Sequence, residues 1–237
     1  MKNRSTIRQS IMGLCAGLAL CLAALPAQAA VVTYDLNYVF SPTPGPVSPM
    51  ARVTLTDVGN FVDFTVQNLA GVGTKLDSLY FNFAQGTINP IALAFSQVAV
   101  NGTTLAAANY STLLASTQST LNPGLKADGD GYFNGKIAYT TNNFLANGST
   151  LLFRLSSTGN NLDTSNFNLL SLPGGGSGSF TMAAHIQALP GAMGYAGNSA
   201  WVGTPVPAAP VPLPAAALLF SSGLIGVLAA KGRRLFA

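Results

Sequence analysis

ARVTLTDVGNFVDFTVQNL, residues 51–69, alternates apolar and polar side chains through two runs separated by Gly59-Asn60. Val53 and Leu55, then Val62, Phe64 and Val66, fall at every second position, and Arg52, Thr54, Thr56, Asp63, Thr65 and Gln67 stand between them. A period of two is the spacing at which an extended chain sends side chains to one face, so each run predicts a strand buried on one side. Glycine and asparagine tolerate positive φ, which makes Gly59-Asn60 the turn between them.

The same pattern recurs outward from this pair. VVTYDLNYVF (31–40), LDSLYFNFA (76–84), IALAFSQVAV (91–100), STLLFRLSS (149–157) and SFTMAAHIQAL (179–189) are rich in β-branched and aromatic residues with polar ones interleaved. Turn chemistry fills the intervals, at Asn101-Gly102, Asp128-Gly129, Asp130-Gly131, Asn134-Gly135 and Asn147-Gly148. TTLAAANYSTLLAS (103–116) is the one stretch whose apolar spacing predicts a helix. PGGGSGS (173–179) reads as a loop inside the domain, because a strand pattern follows it. Many short strands without intervening helices predict an all-β fold, an antiparallel β-sandwich with the jelly roll as one candidate topology, over residues 30–203.

Both termini carry targeting patterns. Lys2, Arg4 and Arg8 precede an apolar run from Ile11 to Leu25, and Ala27-Gln28-Ala29 supplies the small-x-small pattern read by signal peptidase. Residues 1–29 therefore read as a secretory signal peptide cut after Ala29. Cys15 and Cys21 follow leucines, not the small residue that lipidation requires, and both leave with the signal. The exported body is then free of thiols and disulfides and must be held by burial alone.

At the other end, residues 204–214 hold five prolines in eleven positions, a polyproline-like stalk. Residues 215–230 carry no charge, and Lys231, Arg233 and Arg234 follow. At about 1.5 Å per residue a helix here reaches roughly 24 Å, a thin span of the hydrocarbon core. A buried core helix is the bland alternative. The stalk before the run and the basic cluster after it favour a membrane span with a cytoplasmic tip, residues 231–237, under the positive-inside rule.

Val211-Pro212-Leu213-Pro214, the apolar segment containing Leu219-Phe220-Ser221-Ser222-Gly223-Leu224, and Arg233-Arg234 occur in that order. Together they resemble the PEP-CTERM sorting signal of Gram-negative bacteria in its VPLP variant. Leu213 stands where the name-giving motif has Glu, and Leu235-Phe236-Ala237 extend past the arginines. The resemblance implies an exosortase as partner, a membrane-embedded cysteine transpeptidase-like enzyme that recognises the proline motif and cuts near it. It also implies cargo held transiently in the inner membrane with its body outside, then delivered to the cell surface or to an exopolysaccharide or biofilm matrix.

Charge narrows the function classes. With three cations in the signal and three in the tip, the middle keeps Arg52, Lys75, Lys126, Lys136 and Arg154 against seven aspartates, a net charge of −2, and the chain has no glutamate. Nothing in that balance supports nucleic-acid binding. His185 is the one histidine, so Ser-His-Asp chemistry would need it with an aspartate such as Asp63 or Asp77. No serine sits in a nucleophile-elbow pattern, and a strand-borne histidine reads first as structural; the expectation is a non-catalytic protein.

Two binding readings remain. KADGDGYFNG (126–135) offers Asp128, Asp130 and Asn134 as oxygen donors for Ca2+, although Tyr132 occupies the fifth loop position and Asp-Gly pairs are first of all turn formers. Trp201, with Tyr132, Tyr139 and Tyr195, offers aromatic faces to a sugar, which makes a secreted glycan-binding module the alternative to a plain surface or matrix component. For Trp201 itself the competing role is a packing residue that closes the domain.

Overall fold

A computed structural model describes residues 29–84, 93–115, 118, 122–128, 131–140, 144–159, 161–176, 178–190 and 198–204. The opening pair forms as its alternation requires. β1 (Val31–Ser41), β2 (Gly45–Val58) and β3 (Phe61–Asn68) run antiparallel, and Val58 faces Phe61 across the Gly59-Asn60 turn. Gly59 has φ 65°, a conformation that costs glycine nothing. Val53, Leu55, Val62, Phe64 and Val66 are all fully buried.

The remaining strands are β4 (Lys75–Phe81), β5 (Leu93–Val100), β6 (Thr103–Thr104), β7 (Tyr110–Leu114), β8 (Lys126–Ala127), β9 (Gly131–Tyr132), β10 (Gly135–Tyr139), β11 (Leu145–Ala146), β12 (Thr150–Ser157), β13 (Leu172–Pro173), β14 (Met182–Gln187) and β15 (Ser199–Gly203). Eleven of the fifteen strands form one path in the order β6-β5-β12-β3-β2-β1-β15-β14-β4-β10-β7, with β11 added on β4, and every pairing is antiparallel. Four strands separate β3 from β4 in that path, yet Phe64 and Phe81 lie 5.2 Å apart, centroid to centroid. The sheet is therefore curled over so that its two halves face each other. Phe64 stacks on Phe153 at 4.7 Å and meets Phe167 edge-on at 5.0 Å, an aromatic centre drawn from both sides of the fold.

A second, small sheet, β13-β9-β8, lies against the outer surface of β1, β4 and β14. Phe133 and Phe180 pack there with Phe40, Tyr80 and Ala183, and Phe40 stacks on Phe180 at 4.5 Å. The body thus has a large core inside the curl and a small one outside it.

Residues 103–116 depart from the helix that their spacing predicts. Thr103–Thr104 is a strand, Ala107–Asn109 a single 3-10 turn, and Tyr110–Leu114 an edge strand whose register runs from Tyr110 opposite Tyr139 to Leu114 opposite Gly135. The open backbone edge of β10 outweighs a weak local preference, as tertiary pairing commonly does. Asn134-Gly135 is also no positive-φ turn. Gly135 opens β10, and a Cβ there would stand 2.3 Å from the Phe81 ring, so glycine serves close approach.

Buried amides stand in for strand pairing where loops close the core. Asn68, fully buried, donates to the carbonyls of Thr74 and Leu145 and accepts from the Ala70 N–H. Among the described residues no helix is long and apolar enough to cross a membrane, and residues 215–230 lie outside them.

Candidate functional site

The outer surface of the sheet is where polar side chains gather, and strand register places them in rows. Ser111 faces Ala138, Ala138 faces Ser78, Ser78 faces His185, His185 faces Trp201, and Trp201 faces Ser41. In the row beside it Gln187 pairs with Lys75 and Ser199. The β4–β14 ladder shifts register between His185 and Ile186, leaving Asp77 without an opposite residue between Leu76 and Ser78. Such a shift re-aims a side chain. Here it brings the Asp77 carboxylate onto the same surface as its neighbour Ser78.

Asp77 is the hub of what results. Its Oδ2 meets His185 Nδ1 at 2.9 Å and accepts from Gln187 Nε2 at 2.6 Å, while its Oδ1 accepts from Ser78 Oγ at 2.8 Å. Burial pushes this carboxyl up, but the hydrogen bond and charge of His185, with the bonds from Ser78 and Gln187, outweigh that, and its pKa lies below the ordinary carboxylate value. An ionised carboxylate accepts only, so His185 donates to Asp77 from Nδ1. The imidazole stacks on Trp201 with centroids 4.7 Å apart and planes 23° apart. Trp201 in turn meets Tyr80 edge-on at 5.3 Å, and the Lys136 ammonium lies 4.8 Å above that Tyr80 ring.

Of the two aspartates that sequence offers to His185, the structure selects Asp77. Asp63 belongs to Arg154, bound through Nε at 2.6 Å and Nη2 at 2.8 Å across the β3–β12 ladder. Ser78 donates to the acid of the dyad and not to the imidazole, the reverse of a nucleophile–base–acid chain.

Trp201 packs against the small outer core beside Phe40 and Tyr80, and His185 covers one of its ring faces. Tyr139 packs against the large core with its hydroxyl buried, and that burial raises its pKa. Tyr132 is half-buried under the Lys126 ammonium, and Tyr195 lies outside the described residues.

Two of the three calcium candidates, Asp128 and Asn134, lie among the described residues. Asn134 is fully buried, with Oδ1 accepting from the Phe83 N–H and Nδ2 donating to the Phe83 carbonyl, both at 2.9 Å. Asp128, at φ 35°, accepts from Ser41 Oγ. Asp130 lies outside the described residues, and among those described no group of three or more His, Cys, Asp or Glu is placed to hold a metal. Ala27, Val211, Pro212, Leu213, Pro214, Lys231, Arg233 and Arg234 also lie outside them, whereas Ala29 is exposed two residues before β1.

All five cations among the described residues are engaged. Arg52 binds Asp35 in the manner of Arg154 and Asp63, and Lys75, Lys126 and Lys136 each lie over an aromatic ring.

The register shift at Asp77 is the feature that sequence reading missed. A signal for it existed in LDSLY (76–80), where two polar residues stand together between buried leucines and break the period of two.

No family model matches the sequence, and no curated protein matches it. Solved structures similar to the chain include a family IIIa CBD from Clostridium cellulolyticum, at 14% identity and a TM-score of 0.30 over 78% of this chain and 97% of that one. Another is the family 3a carbohydrate binding module from a scaffolding of Clostridium thermocellum, at 16% identity and a TM-score of 0.28 over 66% of this chain and 94% of that one.

Proposed function

We propose that this chain is an exported, non-catalytic component of the cell surface or extracellular matrix, delivered there by its two terminal signals. Signal peptidase removes residues 1–29, an exosortase acts at Val211–Pro214, and the β-body is the cargo. One observation carries this reading, the closure of the body at Thr204. Its N–H donates to Met182, its carbonyl accepts from Thr181 and its hydroxyl donates to the carbonyl of Asp35. A cut seven or more residues further on removes none of these bonds. At the other end Ala29 is exposed ahead of β1, so cutting after it spares the first strand. Cargo that must survive two proteolytic events needs its termini outside its core.

The test is the intact mass and location of the mature protein in its host, with and without the exosortase gene. The expected product begins at Ala30, ends near Pro212 or Pro214, and lies outside the cell only when the enzyme is present. A product that keeps Arg233 and Arg234 in the membrane in both strains overturns the sorting reading.

The second reading, a secreted glycan-binding module, is favoured by the Asp77–His185–Gln187 cluster, a group of hydrogen-bonding side chains beside Trp201 at the surface of the sheet.

A further inference from the structure

The Asp77 cluster has a definite pattern of open valences. Asp77 Oδ2 is taken by His185 and Gln187, and Oδ1 holds one bond from Ser78. What remains with the imidazole neutral is an acceptor at His185 Nε2, an acceptor at Gln187 Oε1, residual capacity at Asp77 Oδ1, and one donor, the second hydrogen of Gln187 Nε2. Three acceptors against one donor suit a ligand rich in O–H groups. The local charge points the same way. The ammonium groups of Lys75, opposite Gln187, and Lys136, opposite Tyr80, are turned over the Phe144 and Tyr80 rings, while the Asp77 carboxylate lies at the centre of the cluster, so an anion arriving here meets a carboxylate first.

We infer that the surface formed by Asp77, His185, Gln187 and the exposed part of Trp201 binds neutral, hydroxyl-rich saccharide units and discriminates against uronates. Adjacent hydroxyls donate to His185 Nε2 and Gln187 Oε1, and the sugar ring packs against the exposed edges of the stacked His185–Trp201 pair. The inference rests on the glycan-binding reading and names the chemistry of its ligand. It is independent of the sorting reading, since a purified chain binds or fails to bind whatever its route of export.

Trp201 is the sole tryptophan, so its fluorescence reports on this site alone. The full chain, purified in detergent, is titrated with maltohexaose, cellohexaose and dextran, and in parallel with oligogalacturonate and alginate oligomers, by calorimetry and by tryptophan emission. The expected result is millimolar or tighter binding of at least one neutral probe with a change in emission, and binding of the uronates weaker by about fivefold or more. Gln187→Ala, a half-buried position outside both cores, weakens neutral binding by about fivefold with its melting curve kept as a folding check; His185→Ala is the second variant. Absence of heat and emission change with every neutral probe overturns the inference. So does binding undiminished in both folded variants, or tighter binding of the uronates.

Discussion

Two aspartates on the outer surface of the same sheet do opposite things. Asp63, on β3, faces Arg154 directly across the ladder and meets its guanidinium in two parallel bonds, and Phe61 covers the guanidinium at 5.3 Å. Asp77, on β4, has no residue opposite it and meets three different side chains, none of which it saturates. Regular register pairs a charge with its counter-charge and leaves little over. A shifted register gathers several partial partners and leaves valences open. The first arrangement is structural, and the second has the form of a site.

The comparison can be broken at its common base. Phe64 holds both halves of the curl, stacking on Phe153 and meeting Phe81, so Phe64→Ala is expected to cost about 3–5 kcal/mol and to lower the denaturant midpoint for the whole body in one transition. It sharpens when each aspartate is removed in turn. Asp77→Ala strands three donors and is expected to cost about 2 kcal/mol, whereas Asp63→Ala leaves Arg154 against Phe61 and within reach of water and is expected to cost about 1 kcal/mol. Chemical denaturation of both variants checks the order, and an equal or reversed ranking would remove the distinction drawn here.

The smallest effects concern pH. The Asp77 carboxyl titrates below its ordinary value of 3.8, so the stability it contributes is complete above that value and is lost as pH falls through the lower folded-state value. Asp57 behaves in the opposite sense. Burial raises its pKa in spite of the bond it accepts from the Thr164 N–H at 2.7 Å, so its charged form costs stability at neutral pH, and that cost disappears on acidification through the raised value. Asp57→Asn keeps the acceptor and removes the charge. Its expected result is a Tm higher by on the order of 1–2 °C at pH 7, fading towards pH 3, read from melting curves across that range.

Strand pattern was legible wherever one face of a strand is buried and the other wet. Residues 31–40, 51–58, 61–68, 93–100, 150–157 and 182–187 all lie within runs that alternate in the sequence, and all are strands. β10 and β15 were not legible, because GKIAY and SAWVG are five residues long and each is made a strand by the neighbours on both sides. Of the site, His185 and Trp201 stand out by being unique residue types, and Asp77 was one of two candidates for His185. Gln187 carried no signal, since nothing local marks which polar residue will share a row with a histidine across a shifted ladder.

By itself the sequence determined an all-β body with a buried alternating face, because side-chain period is a property of consecutive residues and needs no partner. Its terminal patterns set the expectation of export on the same local basis. Only the tertiary structure decided that one sheet curls to bring Phe64 against Phe81, that residues 103–116 become a strand edge, and that Asp77 turns to His185 while Asp63 turns to Arg154. Those outcomes depend on which strands lie side by side and in what register, and register is set by contacts between residues far apart in the chain.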